Sequence, residues 1–265
     1  MSKLLIKRKA GDGLVAQVTP QSAGWGYVGF ELHRVKPGQA VSASTGSQEA
    51  CLVFVTGKGE ATADGEDFGV LGARMSPFEG KPWSLYVPQD SEWSVTAETD
   101  LELAVCLAPG LGKGLPARVI GPDDVKQEVR GKGTNTRYVT NILPEGEPAD
   151  SLLVVEVITP GGHTSSYPPH KHDQDNLPAE SYLEETYYHR LNPPQGFGFQ
   201  RVYTDDRSLD EVMAVEDGDI VMVPKGYHPC AACHGYDLYY LNVMAGPKRT
   251  WKFHNAPEHE WLMKA

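Results

Sequence analysis

Cysteine is scarce in this chain, with four residues among 265. So few in that length do not make a disulfide framework. Long apolar runs are missing as well. No segment approaches the roughly 18 consecutive apolar residues of a membrane helix, so no membrane partner is expected. The opening MSKLLIKRKAGDG has no apolar stretch long enough for a secretory signal, and no Asn-x-Ser/Thr acceptor is present. The cytoplasm is the expected location. Positive charge is in the minority, with 24 Lys and Arg against 35 Asp and Glu, a net of −11. Such a balance repels phosphate backbones, and no nucleic-acid partner is expected. An anionic small substrate remains open, because a few cations in one pocket reverse the local field. Amphipathic helical windows are nearly absent; DDVKQEVR (123–130) is at most two turns long.

Period-two alternation fills the chain instead. Leu101, Leu103, Val105 and Leu107 alternate with Glu102, Ala104, Cys106 and Ala108, the pattern of a strand with one face on a core. EACLVFVTG, SLYVPQD, EWSVTAE, SLLVVEVITP, GFGFQRVYTD, GDIVMVP and DLYYLNVMAG read the same way. With 28 Gly and 20 Pro between them, they predict an all-β sandwich or barrel.

A weak internal repeat organises these strands. Glu49 and Glu185 each open an apolar run, Val87-Pro88 and Val223-Pro224 each end a strand, and Gly110 and Gly246 each close one. All three pairs are 136 residues apart. The common offset predicts two copies of one β unit, 1–117 and 118–265, joined near PGLGKGLP, with 118–150 as a bridge. The first copy has no His between Gly38 and Glu49, and Glu92 stands at the offset of His228. It is expected to be metal-free, a structural unit.

The strongest chemical signal is SSYPPHKHD. His170 and His172 lie two apart, so on a strand both imidazoles project to one face. A polar loop with two solvated histidines is the plainer reading of such a pair alone. Around it stand a carboxylate and a third imidazole at strand edges. Glu185 opens ETYYHRL and shares a face with Tyr187 and His189. His228 leaves the turn after DGDIVMVP. Three imidazoles and one carboxylate suit a divalent metal with positions left for water or substrate. Zn and Mn head the expected ions. Glu184, on the other face of a regular strand, and Glu180 are alternatives to Glu185.

The order HxH, then Glu before an aromatic run, then PxG near His, resembles the cupin double motif. Two departures are visible. DQDNLPAESYLE separates His172 from Glu185, where a general cupin has a short gap, and only Tyr227 stands between Gly226 and His228. Taken with LEETYYHRLNPPQGFGFQRVYTDDRSLDE, VPKGYHP and GYDLYYLNVMAGPKRTWKFHN, the pattern looks like the 5-deoxy-glucuronate isomerase family of inositol catabolism. The resemblance runs along nearly the whole chain and is densest from 153 to 261. It implies two tandem cupin barrels and a small-molecule uronate substrate. It implies an aldose–ketose isomerase that converts 5-deoxy-D-glucuronate into 2-deoxy-5-keto-D-gluconate, and a homo-oligomer is expected. Through the sister uronate isomerases of pectin breakdown it implies His170, His172, Glu185 and His228 as metal ligands. A non-catalytic cupin that binds a metal or sugar acid, and a cupin dioxygenase, are the other readings.

For proton transfer, His189, Tyr187 and Glu184 are the nearest candidates in sequence. Arg201 shares a face with Phe197, Phe199 and Tyr203. Facing inward it would need an anionic partner such as a substrate carboxylate; facing outward it would stack on rings. Lys171, and after it Lys248, could serve the same purpose. CAAC (230–233) reads as core or turn, since HGYDLYY after it is not helical. FHNAPEHEW reads as a tail anchored by Trp251 and Trp261.

Overall fold

In the computed structural model, residues 2–264 are described. Strands dominate. Among the described residues, the helical elements are one turn at Pro20–Ala23, capped by Thr19, and two 3-10 segments at Gly133–Asn135 and Pro257–Met263. No helix among the described residues is long and apolar enough to cross a membrane. The chain divides into two compact units. The first comprises Arg8–Lys126 and Thr140–Val155; the second comprises the chain through Lys7, Gln127–Val139 and the chain from Glu156 on. The division is therefore not a single cut after residue 117. Part of the expected bridge, 140–155, belongs to the first unit, and the start of the chain belongs to the second. Leu5–Ile6 pairs there with Val221 and Ile220, a long-range edge pairing with no local signal in the sequence.

In the first unit, one sheet has the order Arg118–Ile120, Trp83–Val87, Gln48–Thr56, Leu101–Pro109, Gly29–Val35, Gly13–Val18. The other has the order Ala40–Ser44, Glu92–Ala97, Gly59–Ala63, Glu66–Leu71. Every pairing is antiparallel. Leu52, Phe54, Leu85, Leu103 and Val105 from the larger sheet form one core cluster with Ala61, Trp93 and Val95 from the smaller. This is the face that the alternation of Leu101, Leu103 and Val105 predicts. Its reverse side is also covered, since Ala104 and Cys106 are fully buried.

The second unit repeats the plan. Its larger sheet includes, in order, Leu5–Ile6, Ile220–Val223, Glu184–Asn192 and Asp237–Ala245. Its smaller sheet runs Thr164–Ser165, Cys230–Ala232, Phe197–Tyr203, Asp210–Glu216. The 136-residue offset maps Gln48–Thr56 onto Glu184–Asn192 and Leu101–Pro109 onto Asp237–Ala245, end to end. The register follows: Glu49 pairs with Ala108, and Glu185 with Met244. The sequence repeat is a structural repeat, and it places two glutamates at one position of the shared strand pair.

Candidate metal centre and its surroundings

The site is built on Glu184–Asn192, an inner strand paired on one side with Ile220–Val223 and on the other with Asp237–Ala245. Alternation sends Glu185, Tyr187 and His189 to one face, and all three are buried. The paired strand adds Tyr240, opposite His189. Two further segments supply the imidazoles. His170–Lys171 is a short strand pinned by His254–Asn255. His228 follows a tight turn at Gly226, where φ is +89° and a Cβ would sit 2.4 Å from the Tyr203 carbonyl. Only glycine tolerates that position.

His170, His172 and His228 converge, with one ligand nitrogen from each lying within 4.8 Å of the others. Ring centroids of His170 and His228 are 4.8 Å apart, and those of His172 and His228 are 5.0 Å apart. Backbone carbonyls orient two of the rings. His172 Nδ1–H donates to Leu183 O at 3.0 Å, and His228 Nδ1–H to Gly226 O at 2.8 Å. With its proton on Nδ1, neutral His228 presents a lone pair at Nε2; His172 does so once it gives up the proton it shares with Glu185. Both Nε2 atoms stand 3.2 Å from the same oxygen, Glu185 Oε2. His228 Nε2 is out of hydrogen-bond alignment there and is a buried polar atom without a hydrogen-bond partner.

The electrostatics favour neutral imidazoles at two corners. Burial, reinforced by the other two rings and by Arg137, drives His170 well below its ordinary range. Burial takes His228 down to about 4. His172 differs: burial pulls it down, but the Glu185 carboxylate outweighs burial and the net shift is upward. Neutral imidazoles beside one carboxylate, with an orphaned nitrogen among them, fit a divalent cation well. Among the proposed ligands, His170 alone is only half-buried, so the cluster has one open side.

Behind the cluster lies a band of hydrogen-bonding aromatics. The Tyr187 ring stands 5.8 Å from both His228 and His189, and 4.8 Å from Tyr240. Its hydroxyl meets Ser166 Oγ at 2.9 Å. Ser166 holds the left-handed backbone region, φ 50°, which is costly for a residue with a side chain and aims the hydroxyl into the site. Burial raises the Tyr187 phenol well above its usual range, so it keeps its proton. His189 Nε2 is 2.8 Å from Gln200 Oε1, while its Nδ1 has no partner. Gln200 Nε2 donates to His228 O at 3.5 Å, which makes Oε1 the acceptor and leaves the lone pair of His189 on Nδ1. Burial lowers His189 to about 4.

Four sequence candidates fall outside this cluster. Glu184 occupies the opposite strand face, where its Oε1 accepts from Tyr182 OH at 3.5 Å. Lys171, between the two histidines, points away from them as strand alternation requires. It is buried against Asp173 at 2.7 Å and Glu180 at 3.1 Å. Its charge serves the scaffold: Asp173 also accepts from Gly226 N at 2.9 Å, tying the segment of His172 to the turn before His228. Glu180, the third carboxylate considered as a ligand, is spent on that Lys171 cluster. Arg201 faces outward. It forms a two-pronged pair with Asp210, both contacts at 2.7 Å, and lies over the Tyr203 ring at 4.4 Å. Its neighbour Gln200 takes the inward face. Cys230 lies in a strand, and burial lifts its thiol well above the usual range, as for a core cysteine. Gln200, Ser166, Tyr240 and Asp173 had no motif to announce them; tertiary pairing brings them in.

Comparisons with known proteins agree with this architecture. The model of the KduI/IolB family matches residues 4–262. The 5-deoxy-glucuronate isomerase of Geobacillus kaustophilus is 58% identical over 100% of this chain and 97% of its own length. The enzyme of the same name from Bacillus subtilis strain 168 is 50% identical over the full length of both. Among solved structures, an IolB-like protein from Salmonella typhimurium LT2 superposes with a TM-score of 0.96 at 55% identity, covering 98% of this chain and 99% of that one. Bacillus subtilis oxalate decarboxylase, a protein with Mn(II) centres, superposes at 0.63 with 13% identity over 96% of this chain and 80% of its own. That last likeness carries the fold alone. By its sequence from end to end, this chain belongs to the KduI/IolB family.

Proposed function

We propose that this chain is a metal-dependent 5-deoxy-glucuronate isomerase of the cytoplasm. It would convert the aldose 5-deoxy-D-glucuronate into the ketose 2-deoxy-5-keto-D-gluconate in myo-inositol catabolism. The scaffold is read as two tandem cupin barrels, of which the second bears the site. The observation that carries the reading is the convergence of His170, His172 and His228 beside Glu185 in a chain at least 50% identical to relatives bearing that enzyme name. These four residues would hold the divalent ion, Zn or Mn. When bound, such an ion supplies Lewis-acid stabilisation of the negative charge that builds on the carbonyl oxygen.

The chain's own groups would do the rest. Tyr187 keeps its proton and can donate a hydrogen bond to an oxygen that gains charge. Neutral His189 offers the lone pair of Nδ1 for a proton in transit between adjacent carbons. Ser166 and Gln200 hold these two groups in place.

An anaerobic ketose-formation assay, run with and without chelator, tests the proposal. Turnover that survives removal of oxygen but not removal of metal supports an isomerase. Dependence on oxygen would mean a dioxygenase, and no turnover a binding protein. His170→Ala should lose metal and activity together. Solvent deuterium appearing at the new C–H bond would place the reaction on the enediol path; complete retention of substrate deuterium would count against Tyr187 and His189 as proton carriers.

A further inference from the structure

With Arg201 turned outward and Lys171 neutralised, the acidic end of a uronate needs another partner. Arg137 opens the strand Arg137–Leu143 and is half-buried. Its Nη1 donates only to neutral acceptors, Asn135 O at 3.0 Å and Asn135 Oδ1 at 3.2 Å. Arg130, Lys171, Arg190 and Arg201, the comparable cations of this unit, each face a carboxylate. Among the described residues, Arg137 has none.

Its placement is specific. Asn135 Nδ2 donates to Tyr167 O at 3.0 Å, Thr164 Oγ1 donates to Asn135 Oδ1 at 3.3 Å, and His163 Nδ1 meets Thr136 O at 2.9 Å. The turn that ends in Arg137 is thus fastened along the segment that carries Ser166 and leads into His170. The guanidinium charge acts on the Tyr240 phenol, whose ring lies 4.8 Å from that of Tyr187. Arg130, paired with Glu128 at 3.1 Å, borders this guanidinium. It lies over Trp251 at 5.4 Å, Trp251 stands 6.4 Å from Phe253, and Phe253 stands 4.8 Å from His170. This corner is partly walled by rings, and Arg137 is its cation without a carboxylate partner.

We propose that Arg137 anchors the carboxylate of the sugar-acid substrate, so that selection of an acid over a neutral sugar rests on this side chain. The geometry behind it is a half-buried guanidinium with unused donors, held beside the imidazole cluster and its tyrosines. A carboxylate would meet those donors as a fork and compensate a charge that the fold leaves unpaired. The assignment rests on the isomerase reading of the site.

The test compares wild type, Arg137→Met and Arg137→Lys as metal-loaded enzymes, with 5-deoxy-D-glucuronate and with the neutral 5-deoxy-D-glucose. Arg137→Met should raise KM for the acid roughly 10- to 100-fold, the loss expected for charged hydrogen bonds. Bound metal should stay at the wild-type level, and kcat should change far less than KM. Performance on the neutral sugar should not follow the loss. Arg137→Lys should recover part of the acid's affinity. A KM for the acid within twofold of wild type, or equal losses on both sugars, would overturn the assignment. If wild type turns over neither sugar, the isomerase reading fails, and calorimetric titration with D-glucuronate and D-glucose still decides the anchor. Acid binding that disappears in Arg137→Met upholds it; indifference to the substitution refutes it.

Discussion

Glu49→Gln tests how the first unit uses the glutamate that corresponds to Glu185. The Glu49 carboxylate is fully buried and accepts four hydrogen bonds. Tyr86 OH lies at 2.6 Å and Asp150 N at 2.7 Å, both on Oε2. Ser151 N lies at 2.5 Å and Leu152 N at 2.6 Å, both on Oε1. An amide keeps one acceptor oxygen and turns an NH2 toward donors. At least one backbone N–H, and the Tyr86 hydroxyl unless it rotates, would then be buried unsatisfied. Each such group costs about 1–3 kcal/mol, so the substitution should destabilise by roughly 3–5 kcal/mol. At about 2–4 °C per kcal/mol for a unit of this size, Tm should fall by about 10 °C in calorimetry. Bound metal and room-temperature activity should stay at the wild-type level, because no group of the proposed catalytic site is touched. A Tm within about 2 °C of wild type would refute the reasoning, and so would loss of metal without loss of stability.

Other consequences are equally concrete. His189 is held near 4 by burial and has an ordinary value of 6.5 when unfolded. The unfolded chain therefore takes up the extra proton first, and stability is lost as pH falls from about 6.5 toward 4. Between about pH 7 and pH 5 this loss is about 2 kcal/mol, and urea midpoints should fall by that much more in wild type than in His189→Gln, which keeps the parallel losses from His170 and His228. Asp173→Ala removes the acceptor for Gly226 N and should weaken metal affinity by roughly 10- to 100-fold in a chelator competition, with all four proposed ligands present. Arg201→Ala removes an exposed pair with Asp210, so KM for the acid substrate and Tm should both stay near wild type.

The fold was legible because its signals are local. Alternation in 101–108 and in ETYYHRL marks strands and their faces, and the 136-residue offset marks the repeat. Glu185, Tyr187 and His189 share a face in the structure as period two requires, and the same rule sends Lys171 away from its flanking histidines. Arg201 shows where the rule stops. Alternation establishes that Phe197, Phe199 and Arg201 share a face, but not which face is inward. Two Phe suggest a core, yet they are exposed at 43% and 42%, and the fully buried residue is Gln200. The inner face there needs an amide that can hold His189, and no pattern in the strand reveals that need. Ser166, Tyr240 and Arg137 were illegible for the same reason: each becomes relevant only through a strand or turn far away in sequence.

The two glutamates show why one copy of the repeat can be read as structural and the other as chemical. Both sit at the same register of the same strand pair, and both carboxylates are buried, a state that demands compensation. In the first copy, compensation comes from N–H and O–H groups of residues 86 and 150–152, so the carboxylate is an endpoint and has nothing left to offer a ligand. In the second copy, the nearest groups are two imidazole nitrogens whose protons sit on the far side of each ring, committed to Leu183 O and Gly226 O. Lone pairs facing a carboxylate do not stabilise it. Only a cation or a proton between them does, and a proton can serve one imidazole at a time, which leaves His228 Nε2 without a partner. A divalent ion satisfies both nitrogens and the carboxylate at once. The metal reading therefore rests on where the ring protons are held as much as on the presence of three histidines. Freeing the Nδ1 proton of His172 or His228 from its carbonyl should weaken the site even with every proposed ligand in place.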